Sequence, residues 1–131
     1  MKCPCSSGKP YEECCKPFHQ GTLPTTALQL MRSRYSAYAL NLPDYLIATT
    51  HPQNSNYNKN TEAWRESLTQ FSLNTTFHRL EILDFKEKKS HATVKFTAYL
   101  SQQGRDATFT EESAFETIEG RWLYKSGLIS R

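Results

Sequence analysis

All four cysteines of this 131-residue chain lie within its first fifteen residues. They are Cys3, Cys5, Cys14 and Cys15, so two pairs are separated by a loop of eight residues. A segment this short has no hydrophobic core of its own, and four soft thiolates at such spacing are typical of a zinc site that holds a loop folded. Two sulfurs on a tetrahedral zinc lie roughly 3.8 Å apart. Neighbouring Cα atoms are separated by about the same distance, so even the adjacent Cys14 and Cys15 can share one ion.

The loop between the two cysteine pairs has the composition of a turn followed by a short helix. It contains Gly8, which can adopt a positive φ, together with two serines and Pro10. Backbone N–H groups in such a turn can donate hydrogen bonds to the thiolates. Residues 11–13 then predict one helical turn that leads into Cys14. These features favour a metal site at the four cysteines.

Other interpretations of the cysteines stay open. Two disulfides, for example Cys3 with Cys14 and Cys5 with Cys15, need an oxidising compartment, yet no hydrophobic signal stretch precedes the cysteines. Four free thiols are liable to oxidation in any compartment. His19 either replaces one sulfur as a ligand or lies exposed in a linker. A closed set of four thiolates favours a structural zinc over a catalytic one, although four thiolates also suit iron.

The cysteine segment resembles a known module. Residues 3–15, CPCSSGKPYEECC, resemble the SEC-C motif, a small zinc module also found at the end of the SecA translocation motor. A SEC-C module followed by about a hundred residues is similar to the YchJ family, whose body is a nuclear-transport-factor-two-like α+β cone. Weaker similarities to the family pattern occur at residues 30–38, at His51-Pro52 and at residues 120–124.

The resemblance implies more about partners than about chemistry. It implies metal ligation at the four cysteines and at no other position, and it implies no particular reaction. In SecA-like proteins the SEC-C module docks to a chaperone. The resemblance therefore implies a protein partner, such as a chaperone, the ribosome or the nascent-chain machinery.

Composition predicts one compact domain after the cysteine module. We assign residues 1–21 to the zinc module and its linker and residues 22–131 to the body, and 37% hydrophobic residues suffice for a packed core. Four thiolates and a zinc ion lower the formal charge from +3 to about +1, so the charge does not indicate nucleic-acid binding. No apolar run approaches the ~18 residues of a membrane span. We expect a cytoplasmic protein.

Periodicity predicts three helices followed by four strands. Two prolines and Gly21 mark residues 17–24 as a linker. Apolar residues at three- and four-residue steps then predict a helix from Thr25 or Thr26 to Leu42. A short helix is predicted from Pro43 to before Pro52, and a third from Thr61 that includes Phe71.

Beyond Phe77 the apolar period falls from 3.6 to 2, which predicts strands. The alternation is regular over residues 91–100, whereas residues 77–85 change their apolar face after Ile82, which predicts a bulge. Two more strands are predicted over residues 105–118 and 121–129. The fold class is therefore α+β, with three helices on a four-stranded antiparallel sheet. The resemblance implies that this sheet is curved and that the body is a cone.

A cone of this kind commonly has a pocket at its open end. Arg34 is the strongest candidate there, because a guanidinium on an apolar helix face needs a partner such as Glu112 or Glu116. The other candidate pocket residues are Tyr38, His51, Trp64 and Tyr124. His51 is alternatively a cation at a helix end. The aromatic residues are alternatively part of the core.

No catalytic constellation is present in the sequence: there is no phosphate-binding glycine loop and no serine nucleophile elbow. We therefore expect a zinc-dependent protein-interaction module that presents Lys2, Lys9, Tyr11 and Lys16. One alternative is a small-molecule binder or enzyme in the cone, with Arg34 holding a carboxylate or another polar group. Another is a thiol sensor that releases zinc on oxidation. Because the predicted core lies outside residues 1–21, the body is expected to survive metal loss.

Overall fold

The computed structural model describes residues 1–130 and shows helices followed by an antiparallel sheet. A 3₁₀ turn at Tyr11–Glu13 precedes helices α1 (Lys16–His19), α2 (Ala27–Ala39), α3 (Pro43–Ala48) and α4 (Thr61–Leu73). The strands are β1 (Thr76–Glu87), β2 (His91–Gln102), β3 (Arg105–Asp106), β4 (Phe109–Ile118) and β5 (Arg121–Ser130). The predicted α+β order is confirmed. The stretch expected as a linker begins with α1, which is an additional short helix.

Helix α2 begins at the predicted position because its first turn is capped. The Thr26 hydroxyl accepts from the Gln29 N–H at 3.1 Å, and the Gln29 side chain accepts from the Thr26 N–H at 3.3 Å. Glu87 accepts from the Ala27 N–H at 2.9 Å, so the end of β1 also holds the start of α2. The buried residues of α2 are Ala27, Leu30, Met31, Ser33, Arg34, Tyr35, Ser36 and Ala37.

The sheet is the predicted antiparallel meander, with strand order β1-β2-β4-β5. The strand predicted over residues 105–118 is divided into two, the two-residue β3, which pairs with β2, and β4. The register of β1 shifts between Ile82 and Asp84, which confirms the predicted bulge, and leaves Leu83 and Phe85 exposed. The alternating positions Ala92, Val94, Phe96, Ala98 and Leu100 of β2 are all buried.

Two local connections fix the end of the sheet against α3. Glu119 and Gly120 have φ of +52° and +78°, as a tight turn between β4 and β5 requires. The Tyr124 N–H donates to the Thr49 carbonyl at 2.9 Å, and the His51 N–H donates to the Tyr124 carbonyl at 2.8 Å. The segment after α3 therefore runs beside β5.

None of the helices in residues 1–130 has the length and apolar character needed to cross a membrane.

One hydrophobic core runs from the cysteine loop into the body. Cys3, Cys5 and Cys15 are buried in the same cluster as apolar residues of α2 and the sheet. The cysteine loop thus packs directly on α2. The division of the chain into a cysteine module, residues 1–21, and a body that begins at residue 22 stays a prediction. The contacts of the buried cysteines connect these two segments.

Candidate functional site

The four cysteine sulfurs lie within 4.8 Å of one another. The Cys5 and Cys14 sulfurs are 3.6 Å apart, and those of Cys14 and Cys15 are 3.9 Å apart. These separations agree with the roughly 3.8 Å expected for thiolates on one tetrahedral zinc, and they far exceed the ~2.05 Å of a disulfide bond. The donor set therefore fits a single thiophilic metal ion, and the cluster is compatible with a metal site.

The backbone of the loop brings the two cysteine pairs together. The Cys3 N–H donates to the Lys9 carbonyl at 2.9 Å, so the loop returns next to its own start. Gly8 has a φ of +86°, as predicted for this turn. The Ser6 hydroxyl accepts from the Leu80 N–H at 2.9 Å, which ties the loop to β1.

Three hydroxyl contacts surround the sulfurs. Ser36 on α2 donates to the Cys15 sulfur at 3.4 Å and lies 3.3 Å from the Cys3 sulfur. Ser7 lies 3.2 Å from the Cys14 sulfur. Hydroxyl groups at these distances donate to thiolates and so stabilise the deprotonated form that binds a metal.

Arg32 supplies a positive charge beside the same cluster. Its Nη1 donates to the Cys5 carbonyl at 2.8 Å and lies 3.9 Å from the Cys5 sulfur. Four thiolates and a divalent ion carry a net charge of about −2, which a nearby guanidinium partly offsets. Arg32 and Ser36 were missed by the sequence analysis. The available signal was their spacing, because residues four positions apart lie on the same face of a helix.

Protons compete for the sulfurs when the site holds no metal. Hydrogen bonding from Cys15 is the main cause that lowers the pKa of Cys5. The same contact raises the pKa of Cys15, and burial raises the pKa of Cys14. A metal that binds all four sulfurs must displace these protons, so its affinity falls as the pH falls.

His19 is neither a ligand nor a solvated residue, so both sequence interpretations of it are wrong. Its Nε2 donates to the Ser33 carbonyl at 2.8 Å, and its Nδ1 accepts from the Tyr11 hydroxyl at 2.7 Å. Burial lowers the pKa of His19, which agrees with one donating and one accepting nitrogen. His19 therefore links the 3₁₀ turn to α2.

A cavity of about 330 Å³ lies between α2, α4 and the sheet. Three of the candidate pocket residues, Arg34, Tyr38 and Tyr124, line it. Its phenylalanine lining consists of Phe71, Phe77, Phe96, Phe109 and Phe115. Trp64 lines a second concavity next to the first, and Arg34 borders both. His51 and Glu112 line neither.

The prediction that Arg34 pairs with Glu112 or Glu116 is wrong. Its Nη1 donates to the Thr49 hydroxyl at 2.7 Å and to the Leu46 carbonyl at 3.1 Å, and its guanidinium lies 4.7 Å from the centre of the Tyr124 ring. Glu112 is exposed, because it lies on the opposite face of β4 from the cavity. The neighbouring Glu111 is the glutamate that is buried and lines the cavity.

Glu116 pairs with His51 rather than with Arg34. The buried His51 accepts from the Gln53 N–H at its Nδ1, so its Nε2 carries the proton and donates to Glu116 at 2.8 Å. Lys125 and His91 reach the same carboxylate at 3.2 and 3.0 Å. The His51 contact is the largest of the effects that lower the pKa of Glu116 to about 2. His51 thus anchors the segment after α3 to β4.

Comparison with known proteins agrees with this architecture. A family model described as "YchJ, middle NTF2-like domain" matches residues 26–127. A UPF0225 protein of Actinobacillus succinogenes is 39% identical over 130 residues, which cover 97% of this chain and 81% of that protein.

Two solved structures also match over almost the whole chain. One is the solution structure of a SEC-C motif containing protein from Rhodopseudomonas palustris, with a TM-score of 0.84, 32% identity and full coverage of both chains. The other is the crystal structure of a SEC-C motif containing protein from Psychrobacter arcticus, with a TM-score of 0.80, 28% identity and coverage of 98% and 82%. The resemblance of the cysteine segment and of the body is confirmed. The chain belongs to the YchJ family, with an NTF2-like body behind its amino-terminal cysteines.

Proposed function

We propose that the chain binds one zinc ion at Cys3, Cys5, Cys14 and Cys15, and that this structural site supports a protein-interaction surface. The observation that carries the proposal is the set of four sulfurs within 4.8 Å of one another. A site filled by four thiolates leaves no position for a reactive water, which favours a structural role. The match to SEC-C motif containing proteins supports the same role.

The interaction surface consists of the charged residues on and beside the cysteine loop. Lys2 and Lys9 are exposed and Lys16 is half-buried. Tyr11 is half-buried, and its hydroxyl is occupied by His19. The loop therefore presents lysines, beside the exposed Glu12 and Glu13, on a backbone that the metal holds rigid, and these lysines suit acidic groups on a partner.

The class of partner follows from the motif. The SEC-C resemblance favours a protein partner in the chaperone, ribosome or nascent-chain machinery over a nucleic acid. The other basic cluster, Lys86, Lys88 and Lys89, is exposed at the end of β1 and on the turn to β2, with Glu87 between Lys86 and Lys88. It provides a control surface of the same charge, away from the cysteines.

A paired charge-reversal experiment tests the interaction surface. Purified wild-type protein, a Lys9→Glu/Lys16→Glu variant and a Lys88→Glu/Lys89→Glu control are compared in cross-linking and affinity capture. The proposal predicts that partners held by the wild type and the control are lost by the first variant, with equal metal content in all three proteins. Recovery of the same partners by the Lys9→Glu/Lys16→Glu variant contradicts the basic surface.

Burial of the sulfurs favours a structural site over a redox sensor. The exposed fractions of Cys3, Cys5 and Cys15 are 5%, 0% and 1%, so an oxidant in solvent reaches Cys14 first. A sensor predicts zinc release at low peroxide and rebinding after reduction. A structural site predicts that zinc is retained under the same conditions.

A further inference from the structure

The cavity contains two buried charges of opposite sign that lack ion-pair partners. The exposed fractions of Arg34 and Glu111 are 7% and 8%. Within residues 1–130, no carboxylate lies within 4.0 Å of the Arg34 guanidinium, and no cationic nitrogen lies that close to Glu111. Both residues line the cavity. A buried charge without a counter-ion is costly, which makes these two groups candidates for ligand binding.

Each of the two groups has hydrogen-bonding capacity left over. A guanidinium carries five N–H donors, and the bonds that Arg34 makes within residues 1–130 all come from Nη1. The Glu111 Oε2 accepts from the Ser113 hydroxyl and, at 3.0 Å, from the Tyr124 hydroxyl. No donor in this described part of the chain is bonded to its Oε1. A bound molecule can therefore reach Arg34 as an acceptor and Glu111 as a donor.

Tyr124 holds the two groups on the same wall. Its ring lies 4.7 Å from the Arg34 guanidinium, and its hydroxyl donates to Glu111. Burial, together with the Glu111 carboxylate, raises the pKa of Tyr124, so this hydroxyl stays protonated. Gly127 of β5 leaves the necessary room, since a Cβ there would overlap the Glu111 carboxylate and lie 2.6 Å from the Tyr124 hydroxyl.

We infer that this cavity binds a small zwitterion of the α-amino acid class with an apolar side chain. Its carboxylate pairs with Arg34, its ammonium pairs with Glu111, and its side chain packs among the phenylalanines. A ligand with one charge leaves the other buried group unpaired. An α-amino acid carries both charges on one carbon, which suits two groups that both contact Tyr124. A cavity of about 330 Å³ is of a size used for small ligands.

Three matched probes test the charge assignment. L-phenylalanine, N-acetyl-L-phenylalanine without the ammonium, and phenethylamine without the carboxylate are titrated into the purified full chain and followed by calorimetry and by amide NMR shifts. We expect L-phenylalanine to shift amides of α2 and β4 and to bind about tenfold or more tightly than either analogue. Absence of L-phenylalanine binding, or equal affinity for all three probes, overturns the inference.

Three variants test the location. Ser67 lines the cavity on α4, whereas the exposed Glu66 does not. Ser67→Trp is expected to block L-phenylalanine, and Glu66→Trp to bind as the wild type does. Glu111→Gln is expected to weaken L-phenylalanine about tenfold while leaving N-acetyl-L-phenylalanine unchanged. Binding of L-phenylalanine that is unchanged in Ser67→Trp or in Glu111→Gln contradicts the assignment. Because these variants leave the cysteines intact, the result is independent of the metal proposal.

Discussion

Ser33 and Ser36 are both fully buried on α2, yet they have different partners. Ser36 touches the sulfurs of Cys3 and Cys15, whereas the Ser33 hydroxyl bonds to the Leu30 carbonyl and lies 2.6 Å from the Tyr45 hydroxyl. Alanine variants of the two serines therefore distinguish two effects. Loss of the Ser33 hydroxyl removes packing and hydrogen bonds, whereas loss of the Ser36 hydroxyl also removes a group that stabilises the thiolates.

Ser36→Ala is expected to weaken metal binding by about 10- to 100-fold, because a donor to the thiolates is removed. Competition with a chromophoric chelator measures this change. Ser33→Ala is the matched control, and it should reduce stability without a comparable loss of metal affinity. Equal metal affinity of Ser36→Ala and wild type would show that the hydroxyl does not support the site.

Glu116 predicts a specific pH dependence of stability. Its pKa is lowered from 4.5 to about 2, so its charged form stabilises the fold fully above pH 4.5, and this contribution is lost as the pH falls toward 2. Glu116→Gln should therefore be less stable than wild type at pH 7, and the difference should shrink on acidification. Urea unfolding at several pH values measures it.

The control for this experiment is Glu112→Gln, since Glu112 is exposed on the same strand and its side chain makes no hydrogen bond or ion pair among the contacts of residues 1–130. It should leave stability close to wild type at every pH. A Glu116→Gln difference that stays constant between pH 7 and pH 2 would contradict the role assigned to the His51 contact.

The sequence analysis chose Glu112 for the cavity, whereas the structure buries Glu111. Adjacent strand residues point to opposite faces, so Glu111 and Glu112 have opposite environments. The signal was present in β4, because Phe109 and Phe115 lie an even number of residues from Glu111 and so share its face. Arg34 lines the cavity, and the glutamate that lines it too is Glu111 rather than the expected Glu112.

At the scale of elements, α2 separates the cysteine site from the cavity. Arg32 and Arg34 are two residues apart, which is a rotation of about 200° around a helix. Arg32 accordingly reaches Cys5, and Arg34 lines the cavity. One helix therefore positions both candidate sites, and its first turn fixes the position of the helix.

Thr26→Ala is expected to lower the free energy of unfolding by about 1 kcal/mol, because the capping box of α2 is lost. Thr26→Ser keeps the hydroxyl and should stay close to wild type. Urea denaturation at neutral pH measures both. Equal stability of the alanine and serine variants would contradict a stabilising role for this cap.

The sequence predicted elements well where their signals were local. Capping and proline signals gave the starts of α2 and α3, and the change of apolar face gave the bulge in β1. The break between β3 and β4 was missed because it depends on one side chain, as Asp106 accepts from the Thr108 N–H at 2.9 Å. Helix α1 was missed because four residues are too short to show a period.

At the scale of the whole molecule, the cysteine loop and the body share contacts that the sequence does not reveal. Apolar periodicity identifies core residues only within helices and strands. Since every helix and strand predicted from it begins after residue 21, the core was expected there as well. The structure includes Cys3, Cys5 and Cys15 in the core cluster and ties Ser6 to Leu80 of β1. These long-range contacts change the expected response to metal loss.

Removal of the metal by a chelator is expected to lower the melting temperature of the whole chain, because a ligand that binds the folded state stabilises it. Lowering the pH should release the metal as well, since protons compete for the thiolates. The melting temperature of a Cys14→Ser/Cys15→Ser variant should not respond to the chelator. An unchanged melting temperature of fully demetallated wild type would contradict the coupling between the cysteine loop and the body.

Zinc binding at the four cysteines is tested most directly by the metal content of the reduced, purified protein. Elemental analysis measures it beside the Cys14→Ser/Cys15→Ser variant. We expect one zinc per wild-type chain and none in the variant, with both proteins folded as judged by cooperative melting. Absence of metal from carefully reduced wild-type protein would contradict the account, as would zinc that persists in the variant.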